Sequence, residues 1–314
     1  MISAHRTVRL VATDLDGTLL RSDGTISART LRALAAVRAR GIPIVIVTAR
    51  PPRTVRTLTW QLTGGLAICG NGAIVCDLAQ AAIVAQTTLA AADTHALIEE
   101  LRAAIPGVAF AIEAGLRYGE EPDYAPTERD PTDGELRIAD ALALSDAGAT
   151  KLIVRHPAWA LDALFERVAA LVGTRAAVTH SGAPFVEVAA PGVTKAAALA
   201  ALCARRGIAQ AEVLACGDGL NDLPLLTWAG QGIAVANAHP AVLAAAAAIT
   251  ATNDEDGVAV VLEWLISPWS VVRGPQRGSP VGTARHQRRV ITTDHGPRTT
   301  DFPYAQSRTR LSLM

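Results

Sequence analysis

Acidic, hydroxyl and lysine side chains stand at four places in the chain, either just beyond a short apolar segment or at the start of a predicted helix. By themselves such residues are common in turns, and an Asp-Gly pair forms a turn without any catalytic role. Together they are the groups that phosphoryl transfer requires, since that reaction depends on positioning and on stabilising charge. The residues are Asp14, Asp16, Thr48, Lys195, Asp218, Asn221 and Asp222.

Asp14 suits the role of nucleophile. An aspartate is ionised at neutral pH, because its ordinary pKa is ~3.9, and it can attack phosphorus to form an aspartyl phosphate. A phosphate dianion repels this carboxylate unless cations lie nearby. Mg²⁺ prefers oxygen ligands, and Asp14, the main-chain carbonyl of Asp16 and the side chain of Asp218 make a suitable set. Lys195 would add a second positive charge beside the phosphate and the nucleophile.

Asp16 suits an acid–base role. Its side chain is not needed for the metal, so it can protonate the leaving alkoxide and later deprotonate the water that cleaves the intermediate. The Thr48 hydroxyl and the main-chain amides beyond it, beginning with Ala49, can donate hydrogen bonds to phosphate oxygens. Arg50 and Asn71 are further substrate-binding candidates, although an Asn-Gly pair equally forms a hairpin turn.

The spacing predicts elements that bring these residues to one edge of a parallel sheet. Residues 8–12 and 43–47 read as buried strands, and a helix begins after its N-cap Ser27 and stops at Gly41. A strand, a helix and a strand in this order form a right-handed parallel unit, so both strand ends emerge at the same edge. In open α/β sheets ligands bind at that edge.

The next part of the chain is predicted to hold a helix and a hairpin. The helix covers residues 53–62, and the hairpin strands cover 66–69 and 73–76. The Asn-Gly pair between the two apolar segments is a strong hairpin signal.

The segment 83–189 has a different character and is predicted to be a separate domain inserted into the first. Its helices and short strands can form a small sheet covered on one side. A loop rich in Pro, Asp and Glu occupies residues 120–134. The predicted elements are helices at 93–104 and 160–172 and strands at 108–113, 150–154 and 186–188.

From residue 190 the chain resumes its opening pattern. The acidic run 253–257 is predicted to stand at the start of the last helix, where carboxylates favour the helix dipole. The predicted elements are helices at 195–202, 241–248 and 257–265 and strands at 213–216 and 232–235.

Composition limits the classes of function. The 314 residues suggest two domains, and half of them are hydrophobic, so a large core can form. Formal charge is zero overall, but residues 270–314 carry a net charge of +6 and the rest of the chain −6. A mildly acidic body argues against nucleic-acid binding. Few apolar residues follow Ser267, which predicts a disordered basic tail over 268–314.

The cysteines and the hydropathy pattern indicate a soluble cytoplasmic protein. The four cysteines show no CxxC spacing, so we expect free buried thiols and no zinc site. The first residues lack the apolar core of a secretory signal. The alanine-rich segment 233–249 is interrupted by polar residues and falls short of the ~20 apolar residues that span a bilayer, so no membrane partner is expected.

Four segments, in their order along the chain, resemble the motifs of the haloacid dehalogenase (HAD) superfamily. The insert resembles, by position and size, the C2 cap of its Cof-like (subclass IIB) phosphatases, and residues 252–258 resemble that family's ending. The resemblance covers about residues 8–266. The four segments are Asp14-Leu15-Asp16-Gly17-Thr18, Thr48-Ala49-Arg50, Lys195 and Gly217-Asp218-Gly219-Leu220-Asn221-Asp222.

This resemblance implies an α/β fold with a Rossmann-like parallel-sheet core and an inserted α+β C2-type cap. The core is expected at 1–82 and 190–267 and the cap at 83–189. The implied activity is Mg²⁺-dependent hydrolysis of the phosphomonoester of a small metabolite, often a sugar phosphate. The implied roles are nucleophile for Asp14, acid–base for Asp16, phosphate binding for Thr48 and Lys195, metal binding for Asp218, and local support for Asn221 and Asp222.

Alternatives stay open on the sequence alone. The chain departs from the family's frequent glycine at Ala49 and Ala196, although both alanines keep the main-chain N–H that a phosphate would use. A phosphotransferase or phosphomutase of the same fold would carry the same motifs. A non-catalytic protein that binds a phosphorylated ligand is a third possibility. No cap residue matches the family individually, so the pattern names neither the substrate nor the oligomeric state.

Overall fold

The computed structural model describes residues 8–55, 65–124 and 136–267, together with the backbone of 289–290. Within these residues there are two sheets. The strands are β1 (Leu10–Thr13), β2 (Ile44–Val47), β3 (Leu66–Cys69), β4 (Ile74–Asp77), β5 (Ala82–Gln86), β6 (Ala109–Ala114), β7 (Arg117–Glu120), β8 (Leu136–Ile138), β9 (Lys151–Arg155), β10 (Ala177–Thr179), β11 (Val186–Ala189), β12 (Val213–Gly217), β13 (Gln231–Ala234), β14 (Ala248–Ile249) and β15 (Arg289–Val290).

Eight α-helices lie wholly within the described residues. They are α1 (Ala28–Ala39), α2 (Ala91–Ala104), α3 (Ala141–Leu144), α4 (Leu161–Val172), α5 (Lys195–Arg205), α6 (Leu223–Trp228), α7 (Pro240–Ala245) and α8 (Gly257–Ile266).

The larger sheet has the order β15-β14-β13-β12-β1-β2-β3-β4-β5. All pairs from β15 to β3 are parallel. Strands covered on both faces read as continuous apolar runs, and β1, β2 and β12 are buried along their whole length. Thr13 of β1 is level with Ile46 of β2 and Cys216 of β12. The three strands therefore end together, as the sequence predicts.

Helix α1 begins and ends where the sequence predicts. The Ser27 side chain accepts a hydrogen bond from Thr30 N at 3.0 Å and caps the helix. The helix ends at Ala39, and Gly41 adopts a left-handed conformation with φ of 76°. Of the predicted helix at 53–62, residues 53–55 are helical and the remainder lies outside the described residues.

The hairpin forms as predicted, but the core sheet extends further along the chain. Strands β3 and β4 pair antiparallel, and β5 pairs antiparallel with β4. The predicted cap boundary at residue 83 thus falls inside a strand of the core sheet, because 82–86 continue the antiparallel meander. The next helix, α2, begins at Ala91.

The inserted segment forms the second sheet, in the order β10-β11-β9-β6-β7-β8. Helices α2 and α4 cover one face and form a separate hydrophobic cluster with it, which includes Phe110, Leu152 and Val186. Side chains alternate along a strand, so Glu113, Lys151 and the residues in step with them lie on the opposite face. The predicted fold class, a parallel-sheet core with an inserted α+β unit, is confirmed.

The alanine-rich segment near the end of the core differs from its prediction. A helix was expected over 241–248, but α7 ends at Ala245, and Ala248–Ile249 form strand β14. Strand β14 pairs parallel with β13, so hydrogen bonding to the sheet outweighs the helix propensity of alanine.

The acidic run before α8 serves tertiary contacts rather than the helix dipole. Helix α8 has no acidic residue in its first turn. Asp256 instead pairs with Arg21 at 2.8 Å, and Asp254 Oδ1 accepts a hydrogen bond from Ser22 N at 2.8 Å. These contacts attach the loop before α8 to the loop that follows β1.

The remaining predictions on class and tail are tested only in part. All four cysteines are free and buried, as expected. None of the helices in the described residues is both long and apolar enough to cross a bilayer. Of the predicted disordered tail at 268–314, the residues Arg289–Val290 pair with β14, and the rest lies outside the described residues.

Candidate active site

The ends of β1, β2 and β12 bring the predicted residues together. Asp14 directly follows β1, and its main-chain N–H donates to Cys216 O of β12 at 3.0 Å. Thr48 follows β2, and Asp218 follows β12. The edge of the sheet predicted from the strand order is therefore the place where these side chains meet.

Lys195 bridges two of the acids. It is the first residue of α5, and its Nζ donates to Asp14 Oδ1 at 2.8 Å and to Asp222 Oδ1 at 2.7 Å. Lys195 is 1% exposed and Asp14 is 6% exposed. Burial alone lowers the pKa of Lys195, but the carboxylates of Asp14 and Asp222 outweigh burial and raise that pKa. The lysine therefore stays positively charged beside Asp14.

Three carboxylates gather at this point. One oxygen from each of Asp14, Asp218 and Asp222 lies within 4.8 Å of the other two. Burial raises the pKa of Asp14 well above its usual range, with Asp222 adding to the effect, and burial raises the pKa of Asp218 to about 6. Lys195 supplies one positive charge to three acids. The cluster is thus short of positive charge, and its oxygen donors suit a hard divalent cation such as Mg²⁺.

Two residues near β1 hold Asp218 in place. The Thr18 hydroxyl donates to Asp218 Oδ1 at 2.5 Å. Gly17 has φ of 72°, and a Cβ atom built on it would lie 2.5 Å from Asp218 Oδ2. Only glycine therefore fits at position 17 with Asp218 in this position.

Asp222 organises the loop that carries Asp218. Its Oδ1 accepts from Lys195, while its Oδ2 accepts from the main-chain N–H groups of Asp218 at 3.1 Å and Gly219 at 3.0 Å. The side chain is 0% exposed. These contacts suit a supporting residue, which is the role that the resemblance implies.

Asp16 stands apart from the carboxylate cluster. Its two oxygens accept from Arg50, at 2.8 Å from Nε and 2.6 Å from Nη2. The Asp16 side chain is 53% exposed. Arg50, a substrate candidate by sequence, therefore holds the predicted acid–base residue at the mouth of the site.

The residues after β2 form a tight turn. Thr48 is fully buried, and its Oγ1 accepts from Arg50 N at 3.0 Å. A hydroxyl that accepts still has its own proton to donate. The Ala49 carbonyl accepts from Lys151 Nζ of the cap at 2.8 Å. A contact from the cap thus fixes the predicted phosphate-binding turn.

A buried chain of hydrogen bonds joins the cap to two loops of the core. Lys151 Nζ lies 2.5 Å from Glu187 Oε1, and Glu187 Oε2 accepts from Asn71 Nδ2 at 2.8 Å. Asn71 Oδ1 in turn accepts from Asn221 Nδ2 at 3.0 Å. Asn71 has a positive φ of 55°, so it serves both as the turn residue and as a link. We call these four residues the cap–loop chain.

Sequence reasoning missed the two cap members of this chain. Lys151 begins strand β9 and is followed by three apolar residues, and Glu187 stands in the otherwise apolar strand β11. A charge at such a position is a signal, because ionised side chains are rarely buried without a partner. The pattern does not say which partner, so it could not have placed either residue beside Ala49 or Asn71.

An open pocket lies beside the Asp16–Arg50 pair. Its volume is ≈ 450 Å³, which is within the range of small-molecule sites. Arg21, Asn237 and Asp254 are among its lining residues. Asn237 Nδ2 donates to Gly17 O at 2.7 Å, which connects the pocket wall to the loop after β1.

Comparison with known proteins points to one family. The family model described as haloacid dehalogenase-like hydrolase matches residues 11–262. That range includes all four segments of the site and the whole of the inserted segment.

Individual relatives cover most of both chains. The chain is 30% identical over 263 residues to the 5-amino-6-(5-phospho-D-ribitylamino)uracil phosphatase YcsE of Bacillus subtilis, covering 82% of this chain and 96% of the relative. It is 27% identical to the pyridoxal phosphate phosphatase YbhA of Escherichia coli, covering 81% and 97%. The solved HAD subclass IIB sugar phosphatase BT4131 superposes with a TM-score of 0.67 at 21% identity, covering 82% and 98%, which shows a shared fold.

Proposed function

The chain belongs to the haloacid dehalogenase-like hydrolases and is a phosphatase, and from that premise we propose that it is a Mg²⁺-dependent phosphomonoester hydrolase working through an aspartyl phosphate on Asp14. Its substrate is a small phosphorylated metabolite, and within that class we propose a sugar phosphate. Asp14 and Asp16 are the catalytic residues of this proposal.

One observation carries the proposal: a buried lysine binds the proposed nucleophile while two further carboxylates stand beside it. Lys195 Nζ is 2.8 Å from Asp14 Oδ1, and the oxygens of Asp218 and Asp222 lie within 4.8 Å of an Asp14 oxygen. A site that only bound a phosphate would gain nothing from buried acids, because they repel the ligand. Their presence supports a nucleophile with a cation site.

Asp14 performs the first step. Lys195 holds one of its oxygens in place and, together with a bound cation, would offset the effect of burial on the Asp14 carboxylate, while the other oxygen attacks phosphorus. The new bond joins this oxygen to phosphorus as the bond from phosphorus to the leaving oxygen breaks. Water later attacks the phosphorus of the aspartyl phosphate and returns the Asp14 carboxylate.

Asp16 moves the protons. It gives a proton to the leaving oxygen in the first step and takes one from the attacking water in the second. In the structure both Asp16 oxygens accept from Arg50, so neither is available to the leaving oxygen or to the attacking water. We therefore propose that Arg50 releases Asp16 when the substrate enters, and that its guanidinium then binds the substrate.

The phosphate and metal positions follow from the same residues. The Thr48 hydroxyl, the Ala49 N–H and Lys195 would bind phosphate oxygens. Asp14, Asp218 and the main-chain carbonyl of Asp16 would hold Mg²⁺, with Asn221 and Asp222 supporting the loop. Bound Mg²⁺ would neutralise the charge that builds up between carboxylates and phosphate.

The residues around the phosphate account for the proposed reaction, but they do not determine which leaving group the enzyme accepts. The two relatives named above act on a ribitylamino-uracil phosphate and on pyridoxal phosphate, which share only the phosphate ester. This supports a small phosphorylated metabolite as the partner. The sugar class rests on the resemblance to subclass IIB phosphatases.

Asp14→Asn tests the proposal directly. The substitution removes the attacking charge with little change in volume, so phosphate release from phenyl phosphate in Mg²⁺ should fall by at least about 10³-fold, and circular dichroism should stay unchanged. Asp77→Asn, at the far end of β4, is the matched control and should keep full activity. A folded Asp14→Asn protein with most of its activity would refute Asp14 as nucleophile. Isomerised ester without free phosphate from the native protein would indicate a mutase.

A further inference from the structure

Arg53 is an unusual residue of the core because it is buried and only partly hydrogen-bonded. It is 5% exposed, and its Nη2 donates to Glu113 Oε1 of the cap at 3.1 Å. In the described part of the chain, no acceptor bonds to its buried Nε and Nη1 atoms. Buried polar groups without a partner are rare in folded proteins and call for an explanation.

The aromatic ring beside Arg53 does not provide the missing acceptor. The Arg53 Cζ atom lies 4.4 Å from the centre of the Tyr118 ring. The face of an aromatic ring attracts the positive charge of a guanidinium group, but it supplies no oxygen or nitrogen acceptor for an N–H bond. The Nε and Nη1 donors therefore still need an oxygen or nitrogen acceptor.

Arg53 lies next to the proposed phosphate-binding turn, on the side of the cap. Its partner Glu113 is 3.7 Å from Lys151 Nζ, and Lys151 donates to Ala49 O. Arg53 itself is only three residues beyond Arg50, the partner of Asp16. A group attached to a phosphate at this turn would come within the region of Arg53.

The charges around Arg53 disfavour an acidic leaving group. Arg53 and Lys151 balance Glu113 and Glu187, and all four side chains are at least nine-tenths buried. Glu120 adds another buried carboxylate, which accepts from the Tyr118 hydroxyl at 3.0 Å. A carboxylate or second phosphate brought here would meet the buried carboxylates of Glu113 and Glu120 in a desolvated place. A hydroxyl group can accept from Arg53 and donate to a carboxylate.

We infer that Arg53 is a specificity-determining residue: its two unpartnered N–H groups bind hydroxyl or carbonyl oxygens of an uncharged leaving group, while Glu113 and Glu120 exclude an acidic one. This inference rests on the proposed phosphatase activity. It assigns the selection of the leaving group to a residue outside the four motifs.

The test compares three kinds of ester on one enzyme. Phenyl phosphate has a leaving group with no further acceptor, a panel of hexose and pentose phosphates has uncharged hydroxyl-rich ones, and 3-phosphoglycerate has an acidic one. We expect the best sugar phosphate to exceed phenyl phosphate in kcat/KM by about 10- to 100-fold, as hydrogen bonds to a charged donor allow, and 3-phosphoglycerate to be the poorest. Arg53→Met should bring the ratio of kcat/KM for the sugar phosphate to that for phenyl phosphate down to about one.

Two more variants distinguish the loss of the Arg53 N–H donors from a folding defect. Arg53→Lys keeps the positive charge but lacks the in-plane donors, so it should lose the same preference. Arg53→Met combined with Glu113→Gln also removes the carboxylate that Arg53→Met leaves without its partner, and it should show the same loss of preference for the sugar phosphate over phenyl phosphate. An unchanged ratio of sugar phosphate to phenyl phosphate in these variants would overturn the inference alone, as would a native preference for 3-phosphoglycerate. A native protein that hydrolyses none of the esters would overturn the proposed function, and the inference with it.

Discussion

Replacing Asp218 by asparagine should stabilise the metal-free protein. Burial raises the pKa of Asp218 to about 6, whereas an aspartate in an unfolded chain has a pKa of ~3.9. The folded protein therefore binds this proton more tightly than the unfolded chain does. The contribution of Asp218 to stability is then fully present below pH ~4 and is lost as the pH rises through about 6. Two pKa units at ~1.36 kcal/mol each correspond to about 2 to 3 kcal/mol at pH 7.5.

Asparagine removes this titration and keeps the local contact. It has nearly the same shape as aspartate, and its Oδ1 can still accept from the Thr18 hydroxyl, which lies 2.5 Å from Asp218 Oδ1. Without metal at pH 7.5, the free energy of unfolding of Asp218→Asn should be about 2 kcal/mol higher than that of the native protein. Near pH 4 the difference should vanish. Catalytic residues often lower stability in this way.

Urea unfolding with and without Mg²⁺ measures the effect. The native protein should gain about 2.7 kcal/mol at a Mg²⁺ concentration 100 times its dissociation constant, and less below pH 6, where protons compete for Asp218. Asp218→Asn should gain little. Asp254→Asn is the control, because the pKa of this exposed aspartate is lowered by hydrogen bonds from Ser22, so its replacement should not stabilise.

The opposite results would exclude a cation site at the three carboxylates. Without metal at pH 7.5, Asp218→Asn could also prove less stable than the native protein. That result would mean that the folded protein already stabilises the ionised Asp218 side chain without a cation. An equal gain from Mg²⁺ in both proteins would place the metal elsewhere.

Two further changes separate the roles of residues around Asp14. Asp16→Ala leaves the proposed nucleophile but removes the proposed acid–base group, so acid-quenched samples with labelled phenyl phosphate should contain a persistent phosphoenzyme. Native turnover would contradict the proposed role of Asp16. Glu187→Gln keeps an acceptor for Asn71 but removes the charge opposite Lys151. The free energy of unfolding should therefore fall by about 3 kcal/mol, and kcat should fall by about tenfold at nearly constant KM. An unchanged kcat would show that the cap–loop chain has no part in positioning the turn at Ala49.

The core of the fold can be predicted because its rules are local. Strands β1, β2 and β12 are buried on both faces, so each must be a continuous apolar run, and each ends where a polar residue first appears. Ser27 and Gly41 mark their helix for similar local reasons. The segment 241–248 shows the limit: residues 241–245 are helical, as their alanines favour, but Ala248 pairs with β13 in a strand. Asp254 and Asp256 mislead in the same way, because their partners Ser22 and Arg21 lie more than 230 residues away.

The two ends of the site differ in how the chain encodes them. The phosphoryl end consists of groups at strand ends, whose spacing follows from the sheet, so Asp14, Thr48 and Asp218 can be grouped from sequence alone. The proposed leaving-group end is formed by single charged residues on separate strands, such as Glu113 and Glu187, and no local sequence pattern identifies their partners. Each looks like an isolated polar residue until the strand register is known. For this reason the reaction can be read from the sequence, whereas the selection of the leaving group requires the contacts between cap and core.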